Sequence, residues 1–414
     1  MQIEKALIVV ENSWVPVDRR VWYEATALRD AGWQVTVICP TGKVAQAGKK
    51  GPDHAYRSFG EPEDLEGVTV LRFPLIYAEQ GVISYLKEYV SAFFCIARLS
   101  WKVWRQESFD IIQICNPPDI FFPIGVFYRC LGAKFVFDHH DLFPENVIWL
   151  YHGLVGRFMY AVSRLAEYLT FFSANVVMTT NKSYQKIAYE RGKVSPDNVV
   201  VVRNGPKIDE FIPVDPVPAL KLGFPFMVCY AGIMGEGDGI LETIEIIRCI
   251  VRDLTRHDVY FVLLGDGAKK AQALANIKSW ELEAFVDMPG MIRDDMQLRQ
   301  YMSTADVFIS PEPLTPMNTH STFIKIGEYM AIGKPIVAFD LKETRYTAQN
   351  AACYVPPGDI QGFGRAIINL LDDPIRRQQM GNIGRQRILD CLGWEHQKQH
   401  LFRAYALAKG KLIP

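Results

Sequence analysis

Closely spaced cysteines are missing from this sequence. Its 414 residues include eight cysteines, but no two of them form a C-x-x-C pair, and most lie in apolar strand or helix patterns. A disulfide framework or a structural zinc site needs cysteines at short, regular spacings. We therefore interpret the cysteines as reduced core residues of a cytosolic protein, and we expect no metal.

The sequence also lacks an excess of charge and a long apolar run. The formal net charge is −1, so no global basic field would attract nucleic acid, and we expect no nucleic-acid partner. The first apolar run is short and is bracketed by Glu4 and Glu11, a pattern typical neither of a signal peptide nor of a membrane span. Hydrophobic residues nevertheless make up 49% of the chain, which is enough for more than one sizeable core.

Short apolar runs alternate with helical patterns, and this alternation predicts doubly wound α/β domains. The runs interpreted as strands are 6–10, 34–39, 68–73, 111–115, 134–137, 176–179, 199–202, 226–231, 285–290, 306–310 and 335–339. The loop after the first run has no G-x-G-x-x-G fingerprint, which argues against an NAD-dependent dehydrogenase in this half. The region 45–67 is rich in Gly, Pro and charge and is predicted to be a long loop.

Residues 305–345 are the most informative stretch, because they predict strand, loop, helix and strand in succession. A loop with three prolines follows the strand 306–310, and it can continue neither a strand nor a helix. Thr319, Ser321 and Thr322 offer hydroxyl caps to a helix that runs to about residue 332. This helix would begin just beyond the carboxyl end of a strand, where its free N–H groups and positive dipole end favour a phosphate.

Lys325 and Glu328 lie three residues apart, on one face of this predicted helix. A cation beside a diphosphate and a carboxylate that accepts hydrogen bonds from a ribose diol would suit a nucleotide ligand. The spacing is equally typical of a surface ion pair on an ordinary helix.

The segment from Glu328, Glu-Tyr-Met-Ala-Ile-Gly-Lys-Pro-Ile-Val-Ala, resembles the E-A-M-A-x-G-x-P-V-V-A segment of retaining glycosyltransferases of family 4, which have the GT-B fold. The resemblance implies that Glu328 holds the ribose of the donor nucleotide. The family usually has a second glutamate eight residues earlier, and here that position is His320. The preceding loop is about five residues longer than usual, so Asn318, His320 and Ser321 are candidate contacts of the donor sugar.

The segment Phe137-Asp-His-His-Asp directly follows a predicted strand. Adjacent residues at a strand end point to opposite sides, so the two histidines make a poor clamp for one metal ion. The resemblance implies a different role, because relatives carry His-Asp here with the histidine at the donor sugar. By register this residue is His140, followed by Asp141.

A glycine-rich turn, Gly232-Ile-Met-Gly-Glu-Gly-Asp-Gly, follows the strand 226–231 and permits a close approach of the backbone to phosphate. Relatives commonly place an arginine and a lysine in this turn, where this chain has Ile233 and Asp238. Lys325 and the amides of Ser321 and Thr322 are our first candidates to supply the positive charge, and Arg345 is a second. Further donor-binding candidates implied by the resemblance are Gly235, the G-D-G residue Asp266, Gly290 and Met291, the last through backbone contacts to a uracil or guanine base.

Two basic segments in the first half are candidates for other contacts. Arg19 and Arg20 could meet an anionic part of the acceptor, or they could form a solvated first helical turn. Residues 81–106 place four cations along one side of a helix whose remaining surface is largely aromatic and aliphatic. This character is typical of a helix at an anionic membrane surface, and equally of a buried helix with one solvated side.

The resemblance implies two doubly wound Rossmann-like domains that face each other across a cleft. We expect an acceptor-binding domain at 1–205, a nucleotide-sugar-binding domain at 206–392 and a terminal helix at 393–414 that crosses back. The implied activity is retaining, metal-independent transfer of one sugar, with a nucleotide-sugar as co-substrate, no other cofactor, and a glycan or lipid-linked acceptor. Catalytic candidates are His140, Lys325 and Glu328. The alternatives are a sugar-nucleotide epimerase or hydrolase on the same fold, and a sensor or scaffold that binds the nucleotide-sugar without turnover.

Overall fold

The computed structural model describes residues 3–41, 59–76 and 81–411. The chain divides into two units, one formed by Met1–Arg203 with Lys398–Pro414, and the other by Asn204–Gln397. Each unit is an α/β domain built on a mainly parallel sheet. None of the helices in the described ranges is both long and apolar enough to cross a membrane.

The first unit carries an eight-stranded sheet in the order β3-β4-β2-β1-β5-β6-β7-β8. Its strands are β1 (Lys5–Val9), β2 (Gln34–Pro40), β3 (Pro62–Leu65), β4 (Val68–Phe73), β5 (Ile111–Cys115), β6 (Lys134–His139), β7 (Val176–Thr179) and β8 (Val199–Val201). Its helices are α1 (Arg19–Asp30), α2 (Val82–Gln106), α3 (Phe122–Cys130), α4 (Phe143–Leu150), α5 (Gly153–Ser173) and α6 (Lys182–Glu190).

The second unit carries a six-stranded parallel sheet in the order β11-β10-β9-β12-β13-β14. Its strands are β9 (Phe226–Ala231), β10 (Val259–Leu264), β11 (Val286–Gly290), β12 (Val307–Ser310), β13 (Ile336–Phe339) and β14 (Ala352–Val355). Its helices are α7 (Ile240–Arg248), α8 (Lys270–Ser279), α9 (Asp295–Thr304), α10 (Ile324–Ile332), α11 (Lys342–Ala348), α12 (Ile360–Leu371) and α13 (Pro374–Arg387). Two buried hydrophobic clusters cover the two faces of this sheet.

The last helix, α14 (Trp394–Ala408), begins in the second unit and ends in the first. Its final turns are fixed within the first unit by polar contacts. The Tyr405 hydroxyl donates to Gln113 Oε1 over 2.7 Å, and the ammonium of Lys409 lies 2.8 Å from Glu4 Oε1.

The predicted strands agree well with the structure, because parallel strands buried on both faces give continuous apolar runs. The runs 68–73, 111–115, 176–179 and 226–231 coincide with their strands, and the others shift by one or two residues. Asp18 caps α1 by accepting from the backbone N–H of Val21 over 3.1 Å.

Two structural predictions were wrong. Within the region expected to be a long loop, Pro62–Leu65 forms the antiparallel edge strand β3 beside β4, while residues 42–58 lie outside the described residues. Helix α10 begins at Ile324 rather than at the predicted hydroxyl caps, and its N-cap is Phe323, which makes no side-chain cap bond. The hydroxyls of Thr319 and Ser321 donate instead to carbonyls of the preceding turn.

Candidate functional site

The carboxyl edge of the second sheet has a topological switch point beside β9. The chain leaves β9 toward β10 on one side and returns to β12 on the other, so the loops after β9 and β12 diverge there. Ligands of open α/β sheets bind in the crevice that such a divergence creates. The glycine-rich turn 232–239 follows β9, and the loop 311–323 follows β12.

The turn 232–239 packs backbone against backbone on the Gly-Asp-Gly turn after β10. A Cβ atom at Gly265 would lie 1.8 Å from the carbonyl oxygen of Gly232, and one at Gly267 would lie 2.5 Å from that of Met234. Gly265 also has a φ of +137°, a conformation that residues with side chains rarely adopt. Glycine is therefore required at these contacts, which hold the two turns together.

Lys325, on the first turn of α10, extends to the glycine-rich turn. Its ammonium lies 3.2 Å from the hydroxyl of Tyr230 and 4.3 Å from the centroid of that ring. A Cβ atom at Gly232 would lie only 3.3 Å from Lys325 Nζ. The turn that lacks the expected basic residues therefore receives a cation from another element of the same unit.

Glu312 is the partner that sequence reasoning missed. Its carboxylate is buried, lies 2.6 Å from the Lys325 ammonium and accepts from the hydroxyl of Ser310. Burial lowers the pKa of Lys325, but the attraction of Glu312 outweighs it, so the net shift is well upward and the lysine stays charged. A carboxylate two residues after a strand end, between two of the three prolines of the loop, was the signal that could have identified Glu312.

Asp238, which the family resemblance places where relatives commonly have a lysine, is also part of this cluster. Its side chain accepts from the backbone N–H of Gly235 over 2.9 Å, and its carbonyl oxygen accepts from the Tyr230 hydroxyl over 2.9 Å. Burial raises the pKa of Asp238, although nearby Lys325 opposes the shift. Asp238 therefore shapes the turn, while the positive charge comes from Lys325.

Asn318 fixes the loop after β12 against the glycine-rich turn. Its buried amide donates to the carbonyls of Gly237 and Pro313, each over 2.9 Å. This is a bracing role for a residue predicted to be a candidate sugar contact. His320, Ser321 and Thr322 are half-buried and lie just before α10, so the amides of Ser321 and Thr322 belong to the loop rather than to the helix N-terminus.

The remaining donor-binding candidates lie in the same unit. Glu328 is half-buried, one turn beyond Lys325 on α10. Gly290 has a φ of +91°, and its carbonyl accepts from the N–H of Gly265 over 3.0 Å. Asp266 and Met291 are exposed at the carboxyl edge, after β10 and β11 respectively.

The two histidines at the carboxyl end of β6, His139 within the strand and His140 just after it, have different surroundings, as the alternation of a strand predicts. His139 is fully buried among the rings of Phe137, Phe171 and Tyr184, and burial holds its pKa down, at about 3. The side chain of His140 is 12% exposed, and its Nδ1 lies 3.4 Å from Asp138 Oδ2. Burial lowers the pKa of His140, but Asp138 raises it by more, so the net shift is upward.

Arg20 is an internal cation of the first unit, so the interpretation as a solvated helical turn was wrong for this residue. Its guanidinium donates to both oxygens of Asp138, over 2.9 and 2.6 Å, and to the Val202 carbonyl over 2.9 Å. It also lies 3.2 Å from Glu24. These bonds engage the guanidinium of Arg20 inside the unit, which favours a structural role over contact with an acceptor. Arg19, one residue earlier, is half-buried.

Cys115, Asp138 and His140 form the one cluster of metal-ligand type found among the described residues, with ligand atoms within 4.8 Å of one another. The donor set fits a metal ion poorly. Both oxygens of Asp138 already accept from Arg20, and burial raises the pKa of the Cys115 thiol well above its usual value.

Comparison with known proteins covers most of the chain. Residues 17–205 match the family model of the glycosyl transferase 4-like domain, and residues 225–373 match that of glycosyl transferases group 1. Among characterised proteins, the α-maltose-1-phosphate synthase of Mycolicibacterium smegmatis is 22% identical over 66% of this chain and 73% of its own length.

Two fungal relatives are matched over a smaller share of their length. The gpi3 subunit of the phosphatidylinositol N-acetylglucosaminyltransferase of Schizosaccharomyces pombe is 25% identical over 62% of this chain and 52% of its own length. The chitobiosyldiphosphodolichol β-mannosyltransferase of Candida glabrata is 21% identical over 49% of this chain and 42% of its own length. The chain thus spans about half the length of these two relatives.

Solved structures share the fold over nearly the whole chain. Sucrose-phosphate synthase of Thermosynechococcus elongatus superposes with a TM-score of 0.76 at 18% identity, covering 98% of this chain and 99% of that one. Anabaena HepE, solved in complex with UDP and glucose, superposes with a TM-score of 0.68 at 14% identity, covering 97% of this chain and 99% of that one.

Proposed function

Because this chain belongs to the family-4-type glycosyltransferases of the GT-B fold, we propose that it transfers a hexosyl group, with retention of configuration, from a UDP- or GDP-linked sugar to a glycan or lipid-linked acceptor. The reaction would serve the synthesis of a surface polysaccharide or glycolipid. The fungal relatives' names support a lipid-linked acceptor, and HepE's complex supports a UDP-linked donor.

The observation that carries the proposal is the position of the Lys325 ammonium against Gly232, at the switch point of the second sheet. A glycine without a side chain beside a buried, permanently charged cation is suited to a diphosphate, since the backbone can approach the phosphate and the cation can balance its charge. In this assignment Lys325 binds the diphosphate, with the backbone of Gly232 and Gly235. The loop amides of Ser321 and Thr322 assist it.

The other roles follow the family resemblance. Glu328 would accept from the ribose diol, the backbone at Gly290 and Met291 would bind the base, and Asp266 would border the donor. His140 and His320 would contact the sugar, and Arg19 would contact an anionic acceptor group. Catalysis would rest on positioning and on stabilising the leaving diphosphate, without a metal ion or other cofactor.

The location we propose is the inner face of a membrane, contacted through residues 81–106. In the structure α2 fills this segment and exposes Lys87, Arg98, Lys102 and Arg105. These cations could meet anionic lipid head groups while the remainder of the protein stays in the cytoplasm.

A donor screen tests the proposal directly. Thermal shifts with UDP, GDP and ADP would identify the base, and hydrolysis of the corresponding nucleotide-sugars, with and without candidate acceptors, would measure turnover. Lys325→Met should lose most of the nucleotide-induced shift, whereas Lys278→Met, at an exposed lysine of α8, should retain it.

The screen also separates the alternatives. Binding without turnover under any acceptor condition would favour the non-catalytic sensor. Turnover of the nucleotide-sugar at a rate that no acceptor increases would favour an epimerase or a hydrolase. A full nucleotide response in Lys325→Met would contradict the assigned diphosphate site.

A further inference from the structure

Helix α5 exposes a continuous apolar stripe that the sequence analysis did not identify. Large hydrophobic side chains on this helix are exposed by 40 to 83%. They are Leu154, Val155, Phe158, Val162, Leu165, Tyr168 and Phe172. At about 100° per residue these positions fall within one side of the helix, and its 21 residues extend over roughly 30 Å.

This stripe belongs to a larger apolar surface. Half of the exposed large hydrophobic side chains in the part of the chain that the structure describes lie between residues 83 and 172. Helix α2 contributes Ile83, Leu86, Val90, Phe94 and Trp101, and the segment of α3 contributes Phe127 and Leu131. We call these residues, with the α5 stripe, the apolar face.

The sheet topology places these helices in one layer. The connections β4 to β5, β5 to β6 and β6 to β7 all advance in the same direction along the sheet, and they contain α2, α3 and α5. Since such crossovers are right-handed, the three helices cover the same side of the sheet and their outer surfaces point the same way. Ring contact between Trp101 and Phe127, at 5.9 Å, joins α2 to α3, and α3 packs on α5.

The exposed charges on the helices of this layer have one sign. Lys87, Arg98, Lys102 and Arg105 are exposed on α2, Arg129 on α3 and Arg157 on α5. The acidic residues of α2 to α5, all within the described ranges, are Glu88, Glu145 and Glu167, and each is buried, with exposed fractions of 9, 5 and 0%. The apolar face is therefore flanked by cations, and the described residues of helices α2 to α5 add no exposed carboxylate to it.

We propose that the first unit docks on an anionic lipid bilayer through the apolar face, with the α5 stripe inserted at the boundary between head groups and acyl chains and the α2 cations against lipid phosphates. A monolayer of anionic lipid matches both features, because it offers hydrocarbon beside negative charge. A second copy of this chain matches only one of them, because pairing two such faces would bring cations together. The proposal is independent of the sugar-transfer chemistry, and it adds α5 to the membrane contact expected at residues 81–106.

Vesicle co-sedimentation of the full chain tests this docking. The wild-type protein should bind vesicles of phosphatidylglycerol and phosphatidylcholine, and the double variant Phe158→Ser/Phe172→Ser should bind at least tenfold more weakly. The matched control Ile375→Ser/Leu389→Ser, at exposed side chains of the second unit, should bind as the wild type does. All three proteins should melt alike, since the substituted side chains are exposed.

The electrostatic part has its own variant. Arg98→Gln/Arg105→Gln should weaken binding to the anionic vesicles severalfold and reduce its dependence on salt. Wild-type protein that stays in the supernatant, or an α5 variant that binds like the wild type, would overturn the proposal. Sedimentation velocity provides a further check, because a wild-type dimer that the α5 substitutions dissociate, without vesicle binding, would assign the face to self-association instead. Vesicle binding is measured without donor or acceptor, so its outcome is separate from that of the donor screen.

Discussion

The ammonium of Lys325 and the carboxylate of Glu312 form a buried ion pair, 2.6 Å apart, beside the glycine-rich turn. A buried cation that loses its partner is strongly destabilising, because its charge is no longer compensated. The same ammonium is our candidate for the donor diphosphate, so the carboxylate and the ligand would share one cation.

This sharing predicts an unusual response to Glu312→Gln. The variant should be less stable without ligand, by roughly 3 to 5 kcal/mol, because Lys325 keeps its charge. A nucleoside diphosphate would then replace the missing negative charge, so it should raise the melting temperature of the variant by more than that of the wild type. Melting curves with and without the nucleotide found in the donor screen measure both effects. An equal or smaller nucleotide-induced shift in the variant would show that Lys325 does not bind the diphosphate.

Two glycines of the same cluster should respond differently to alanine. At Gly232 the new Cβ would meet the flexible end of Lys325, at 3.2 Å from Cε, so Gly232→Ala should fold but bind the donor severalfold more weakly. At Gly265 the new Cβ would collide with the Gly232 carbonyl, and the backbone φ of +137° at Gly265 is unfavourable for alanine. The loss of stability in Gly265→Ala should therefore exceed about 3 kcal/mol. Urea unfolding and nucleotide titration of both variants check this contrast, and a stable Gly265→Ala variant would contradict it.

The pair Asp138 and His140 predicts a titration that can be followed by NMR. Burial opposes protonation of His140, but Asp138 favours it more, so the pKa of the imidazole is above its usual value. The stability that this pairing contributes is complete below the usual histidine pKa and is lost as the pH rises through the raised value. The imidazole resonance of His140 can be assigned because it is absent from the spectrum of His140→Gln. In Asp138→Asn this resonance should titrate at a lower pH than in the wild type. An unchanged titration would mean that another group sets the protonation of His140.

The sequence predicted most parallel strands but not the edge strand β3, and the reason is physical. Pro62-Glu-Asp-Leu has none of the apolar continuity of a buried strand, and the buried Glu63 accepts from Arg72 of β4 over 2.9 Å. Here a hydrogen bond to the adjacent strand, rather than a hydrophobic side chain, stabilises the buried position. The sequence pattern along β3 alone cannot reveal such a partner.

The candidate site shows the same limit. Lys325 and Glu328 were identified because they share one helix face, and their spacing is local. The partners of Lys325 and Arg20 are remote: Tyr230 lies 95 residues from Lys325, and Asp138 lies 118 residues from Arg20. Contacts between residues so far apart in the sequence form only when the corresponding strand ends meet at the sheet edge. The strand order of the folded sheet decides which ends meet, and the spacing of residues in the sequence does not show that order.

Metal independence remains a prediction that chelation can test. The oxygens of Asp138 are engaged by Arg20, and the cation near the candidate diphosphate site is Lys325, so EDTA should leave sugar transfer unchanged. Cys115→Ser should likewise retain activity, since it removes one atom of the Cys115, Asp138 and His140 cluster without disturbing Arg20. Complete loss of activity in EDTA, restored by magnesium or manganese, would contradict this prediction.

Glu11 predicts how the stability of the first unit depends on pH. This residue follows β1 and is 1% exposed, and its Oε1 has no hydrogen-bond partner among the described residues. Burial, with a smaller contribution from Glu88, raises the pKa of Glu11 from 4.5 to about 8. The unfolded chain therefore releases this proton near pH 4.5, whereas the folded unit holds it until about pH 8, so stability is lost between these two values as the pH rises.

Glu11→Gln should remove this loss, because the amide has nearly the same shape as the protonated carboxyl and never ionises. We expect the variant to be more stable than the wild type by roughly 2 to 4 kcal/mol at pH 8, and by much less at pH 5. Urea unfolding at both pH values measures the difference, with Glu190→Gln, at an exposed side chain of α6, as the matched control. A gain that is equal at the two pH values would mean that Glu11 is not the titrating group, because only a proton held by the folded unit makes the effect of the substitution grow with pH.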